Sequence, residues 1–231
     1  MALTPQNNDA FFREVDEEVR REQIGRFWKR WGIIVAVAVA VALIAFGGYL
    51  FWQHSRTQAA AKDGEALVAA LETAERGNAA GARKKLAEVK ESGRPGYRAA
   101  TDLTLAALAL QKNDIPAAVA LYNKVAGDQS LAQPYRQLAL LRATALEYDK
   151  LPAAKVIERL KPLAVSGNAW FGSAGELTAM AHLRNNRPDL AGPLFASIAQ
   201  DRNVADSLRS RATQMAGALG VSVAQPKEGN N

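Results

Sequence analysis

Residues 31–52 read WGIIVAVAVAVALIAFGGYLFW, twenty-two positions without a charge and with a Trp at each end. No other feature restricts the chain as strongly. As a helix the stretch rises about 33 Å at 1.5 Å per residue, enough for a bilayer core of about 30 Å. The apolar region of a signal peptide is shorter, about 7–15 residues. Thirty residues, six of them acidic, precede this one. Ala59-Ala60-Ala61 could mimic a cleavage site, but it lies beyond His54 and Arg56, a poor position. The Val/Ala alternation over 35–42 would also suit a strand. An open strand edge cannot sit in lipid, and Ala favours helix. A cleaved signal and a buried soluble helix are the alternatives; the stretch reads as a transmembrane helix.

The flanks agree and give a direction. Trp28, Trp31, Tyr49 and Trp52 sit where aromatic rings gather at the headgroup levels. Arg20, Arg21, Arg26, Lys29 and Arg30 precede the span, whereas only Arg56 and Lys62 follow it over a similar distance. The positive-inside rule keeps the N-terminus in the cytoplasm and exports the remainder. In a bacterium this is a single-pass inner-membrane protein with residues 53–231 in the periplasm. The chain has no Cys. That is neutral, because an oxidising compartment permits disulfides without demanding them.

The net charge of +6 has a bland origin. Acids and bases are interspersed after the span, and only Arg83-Lys84-Lys85 and Arg209-Ser210-Arg211 cluster, with no aromatic residues between them. A nucleic-acid partner is therefore excluded from the reading. The arm of residues 1–30 puts Phe12, Val15 and Val19 on one helical stripe, roughly continued by Phe27 and Trp31. It reads as an amphipathic helix on the bilayer surface, held by its basic end; a docking helix for a partner is the second reading.

After a short helical linker, 53–63, residues 64–220 suffice for one domain. They are rich in Ala and Leu at helical spacing and read as all-α, ahead of a disordered tail at 221–231. A pattern recurs in GNAAGARKKLAEV, NDIPAAVALYNKV, YDKLPAAKVIERL and NRPDLAGPLFASI. Each is a turn, then Ala82, Ala118, Ala153 or Ala191, then apolar residues four and seven later. The spacings are 36, 35 and 38 residues. Two antiparallel helices with their turns need about 34 residues. The small residue lets the two helices approach closely. Ala70, Ala106 and Ala179, each twelve residues earlier, supply the matching contact; the third repeat has Leu141 there, a departure. Pro116, Pro152 and Pro188 fall at openings of second helices, and Pro162 ends the third. Pro193 falls inside the fourth, which predicts a shifted start or a kink.

The pattern resembles the tetratricopeptide repeat, without its large aromatic early in the first helix. The fold class expected is one transmembrane helix followed by an α-solenoid of such hairpins. With a cytoplasmic arm and one span before it, the architecture resembles the ancillary SecYEG translocon subunit family (YfgM-like). YRAATDLTLAALALQKNDIPAAVALYNKVAGD, PYRQLALLRATALEYDKLPAA and NAWFGSAGELTAMAHLRNNRPDLAGPLFASIAQD are similar to that family's alphaproteobacterial version. The resemblance implies a scaffold beside the Sec translocon, with translocon subunits, exported clients and periplasmic chaperones as partners and the bilayer as anchor. An envelope-assembly or division-linked structural adaptor with the same fold is the alternative.

No catalytic constellation emerges. The two His, His54 and His182, are far apart in the sequence, and neither HExxH nor a Cys pair accompanies them. GNAAGAR lacks the Lys-Ser or Lys-Thr of a phosphate loop and reads as a turn. Neither an enzyme nor a cofactor is expected. On the tetratricopeptide layout the first helix of each pair lines a concave groove. It would receive Leu103, Ala107, Tyr135, Leu138, Arg142, Glu176, Met180 and Leu183. Tyr135, Arg142, Glu176 and Met180 are the candidate partner-binding residues. Trp170 and Phe171, an aromatic pair on a turn, form a second candidate; their other role is a plug of the core between repeats.

Overall fold

The computed structural model describes residues 6–91 and 93–223, with side chains from Trp31 onward. Among the described residues the ordered elements are all helices: α1 Gln6–Glu75, α2 Ala79–Glu91, α3 Pro95–Gln111, α4 Ile115–Gly127, α5 Gln133–Leu146, α6 Ala153–Leu160, α7 Phe171–Arg184, α8 Pro188–Gln200 and α9 Asp206–Ala218. The chain divides into two compact units, Met1–Ala61 and Lys62–Asn231.

In the first unit every residue from Ile33 to Gln58 is exposed. An apolar helix with none of its window buried is not a core helix, so the buried-helix alternative drops out. By length and composition the helix is a candidate membrane span. At its C-terminal flank the Arg56 guanidinium lies 3.9 Å from the centre of the Trp52 ring, a cation–π contact, and the Tyr49 and Trp52 ring centres are 6.4 Å apart. The stripe of Phe12, Val15, Val19 and Phe27 falls outside the described side chains, although the backbone there is helical. The expected tail lies, beyond Val223, outside the described residues. The purified protein should retain residues 1–30 and stay in the membrane pellet after a carbonate wash. N-terminal sequencing that finds a soluble form beginning near Lys62 would identify a cleaved signal instead.

The second unit begins with the last turns of α1, where Ala70 shares a buried cluster with Ala82 and Leu86 of α2. From α2 to α9 each helix packs on the next. The end of α1 with α2, then α3/α4, α5/α6 and α7/α8, are the four hairpins, with α1, α3, α5 and α7 as their first or A helices, and α9 packs against α7 and α8 at the C-terminal end. Three of the four A helices stop in the same way. Asn78 N donates to Thr73 O at 3.1 Å and Gly77 N to Ala74 O at 2.9 Å, with Gly77 at φ +80°. Asp114 and Asn113 repeat the pattern on Ala109 and Leu110, and Arg187 and Asn186 on His182 and Leu183. Here the left-handed residue is Asn, at φ 58° and 55°. These bonds satisfy helix-end carbonyls, and Asn is the side chain that tolerates that conformation best after Gly.

The third turn, after α5, is built differently. Among the described residues it has no left-handed residue. Instead Arg184, from α7 of the next hairpin, donates to Tyr148 O at 2.7 Å and to Leu151 O, and lies 4.7 Å from the centre of the Tyr148 ring.

The small-residue contacts are present, with one correction. Ala70, Ala82, Ala106, Ala118, Ala179 and Ala191 are all fully buried. In the third repeat the buried set is Val156, Leu160 and Leu163, whereas Ala153 and Ile157 are half-buried. The register there lies three residues later than the Ala153 pattern predicts. The departure at Leu141 then disappears. Twelve residues before Val156 stands Thr144, fully buried, whose hydroxyl donates to Leu140 O at 2.8 Å. Thr is small enough for the crossing once its hydroxyl has this partner.

Pro193 also departs from expectation. Helix α8 starts at Pro188, unshifted, and carries Pro193 within it. Pro193 and Asp189 are both exposed, so the carbonyl that lacks a helical donor is on the water side.

The interior is a series of small clusters rather than one core. Among the described residues one charged group is buried with them. Asp102 on α3, 5 % exposed, accepts from Lys90 Nζ of α2 at 2.9 Å and from Lys124 Nζ of α4 at 2.8 Å. One carboxylate thus ties three consecutive helices together. The hydrogen bond to Asp102 is the main reason that Lys124 is held above the ordinary lysine value.

Candidate functional site

Helices α5 and α7 are A helices of neighbouring repeats, and they touch. Between them lies a cavity of about 290 Å³. From α5 it takes Leu138, Leu141, Arg142 and Ala145, positions i, i+3, i+4 and i+7 of one helical face. From the start of α7 it takes Trp170, Ser173, Glu176 and Leu177. The two candidate surfaces of the sequence analysis, the groove and the aromatic turn, therefore meet in one place through Arg142, Glu176 and Trp170.

Trp170 and Phe171 separate. Phe171 is 3 % exposed and packs with Phe195, Ile198 and Val204. It fills the core between repeats, the second of the two roles considered for the pair. Trp170 is half-buried and packs on the neighbouring cluster. Its backbone N–H donates to Asn168 Oδ1 at 2.8 Å, which fixes the turn that presents the ring. On its other side Trp170 lines a second cavity, of about 530 Å³, with Gly172, Asn203 and Leu208. Gly172 matters here. A Cβ added at this position would fall 2.7 Å from Val204 Cγ1, so a larger residue would push α7 away from the segment that leads into α9.

Charge at the first cavity is uneven. Glu176 accepts from Arg211 of α9 twice, at 2.9 Å from Nε and at 2.9 Å from an Nη, a bidentate pair. That contact holds the Arg211 guanidinium above its ordinary value. Arg142 is exposed and, among the described residues, makes no hydrogen bond or ion pair. The cavity therefore has apolar walls, one compensated carboxylate and one uncompensated cation.

Tyr135 and Met180 do not line it. They are 38 % and 41 % exposed on α5 and α7 respectively, and stand free on the surface. Leu103, Leu138 and Leu183 are half-buried and Ala107 is exposed. Leu141, Ala145, Ser173 and Leu177 were not among the groove residues expected from the sequence. Their signal was available, because each lies three or four residues from a residue already chosen on the same helix. The pairing of Arg211 with Glu176 had no such signal, because it joins residues 35 apart through the packing of α9.

His182 is half-buried, and burial holds it below the ordinary His value. Among the described residues no group of three or more His, Cys, Asp or Glu could hold a metal ion.

The model of the tetratricopeptide repeat-like domain family matches residues 25–192. No curated protein and no solved structure matches the chain.

Proposed function

The chain belongs to the tetratricopeptide repeat-like domain family, a class of protein–protein interaction scaffold, and from that premise we propose a membrane-anchored periplasmic scaffold at the Sec translocon. It holds translocon subunits, exported clients and periplasmic chaperones near one another. The observation that carries this reading is the order of parts: a candidate span with five cations in the eleven residues before it and two in the eleven after, followed by repeat hairpins. A span fixes the scaffold at the bilayer where exported chains emerge. Stacked A helices offer side chains to a partner without any catalytic group. The translocon itself enters through the likeness of the three long stretches quoted above.

The test has two arms. A reporter active only in the periplasm should work when fused after Asn231 and stay silent when inserted near residue 8. Purification in a mild detergent should bring translocon subunits with the chain in stoichiometric amounts. A reversed reporter pattern would remove the export argument. Recovery of wall-synthesis or outer-membrane assembly factors in place of the translocon would favour an envelope adaptor.

A further inference from the structure

We propose that the cavity between α5 and α7 takes a short internal peptide segment in which an acidic residue adjoins a large apolar one. The apolar side chain enters between Leu138, Leu141, Leu177 and Trp170, and the carboxylate meets Arg142. This rests on the interaction-scaffold reading and adds the chemistry of what is recognised.

Three observations lead to it. The volume, about 290 Å³, is at the small end of ligand-sized cavities and suits an anchoring side chain rather than a whole helix. Its walls are mostly Leu, Ala and Trp, so the anchor is apolar. The third is charge. Arg142 lines the cavity from an exposed position, and the acid that lines it too is already taken: Glu176 spends both carboxylate oxygens on Arg211. Arg142 is left with its full set of donors. A carboxylate brought in by a partner gains charge-assisted hydrogen bonds without displacing an internal one. A basic segment would meet Arg142 with no acid free to compensate it, so the same geometry rejects it.

The experiment uses the full chain in phosphatidylcholine nanodiscs and fluorescein-labelled peptides with blocked ends, so that no terminal carboxylate competes. One peptide carries Asp-Phe-Glu-Leu in a Gly/Ser frame. The second has Lys in place of both acids, and the third has Ser in place of both apolar residues. Anisotropy titrations should show the acidic–apolar peptide binding about tenfold or more tightly than either of the others. Arg142→Glu should reverse the preference between the acidic and the basic peptide. Ala145→Trp, which fills the cavity from an exposed position, should remove the advantage of Phe and Leu. Lys112→Glu makes the same charge change on the exposed turn after α3 and should leave the ranking as it is. Both Arg142 and Lys112 are exposed, so thermal melts of those variants should match the parent. The proposal is overturned if Arg142→Glu keeps the acidic preference, if Lys112→Glu alters it equally, or if the peptide without apolar residues binds as well. The peptides stand in for any natural partner, so a failure here leaves the translocon pull-down to be judged on its own result. A negative pull-down, in turn, leaves the peptide ranking unaffected.

Discussion

Replacing Lys90 and Lys124 together by Met should destabilise the repeat unit by about 3–5 kcal/mol, the usual result of removing the partners of a buried charge. Asp102 would keep its place, 5 % exposed, with both of its cations gone. Neither Met can donate a hydrogen bond. A third substitution identifies the cause. The penalty belongs to the carboxylate left without donors, so adding Asp102→Asn to the double variant should recover much of it. Urea unfolding of the parent, the double variant and the triple variant measures this. A triple variant no more stable than the double one would mean that lost packing of the lysine stems, and not the charge, carries the cost. The parent has a second signature at alkaline pH. Lys124 is raised in the folded state, so its contribution is complete below the ordinary value of 10.5 and is lost as pH climbs through the higher folded value. The double variant should lack that alkaline decline.

Ala118→Phe should also be damaging, less so and for a different reason. Ala118 is fully buried against Ala106 and Tyr122 in the second cluster, where the hairpin helices come closest. Overpacking such a crossing costs about 1–3 kcal/mol, which in a unit of this size lowers the melting temperature by several degrees. Ala120, two residues on, is exposed, and Ala120→Glu should change little. Equal melting temperatures for the two variants would show that the crossing lies elsewhere. The corrected third repeat extends the comparison: Ala153→Glu should cost clearly less than Ala118→Glu, because the crossing there is at Val156.

The third repeat also shows how far the residues alone can be read. In the other three hairpins the left-handed residue, Gly77, Asn113 or Asn186, stands five positions before the buried Ala. That interval is the reliable marker, because the end of the A helix and the crossing belong to one rigid turn. Proline is a weaker marker. Pro116 lies two residues before its buried contact and Pro188 three, since proline is tolerated at several places in a first turn. Where Leu151 takes the place of the Gly or Asn, Ala153 with the apolar Ile157 and Leu160 four and seven later imitated the pattern, and it set the register three residues early. The helical class, the small-residue crossings in three hairpins and the polar face of α5 were all visible as spacing. The cavity was not, because it depends on how two A helices lie against each other. Nor was the burial of Phe171 beside a half-exposed Trp170, since adjacent aromatics on a turn give no sign of which one faces inward.

The arginine that completes the third turn bears on the order in which the chain becomes structured. The carbonyls of Tyr148 and Leu151 are met by Arg184, 36 and 33 residues further along. A ribosome or a translocation pore delivers the chain from its N-terminal side, so the third hairpin emerges well before the residue that closes it. Until α7 arrives, those two carbonyls must be held by water, and the hairpin has its neighbour on one side only. Hairpins one and two carry their own turn residues and can settle as soon as they are out. The third must wait for the fourth, so the C-terminal half of the unit should acquire protection as a pair and not one hairpin at a time. A chain halted just before residue 184 would leave an unfinished turn exposed on the side where the next residues are due.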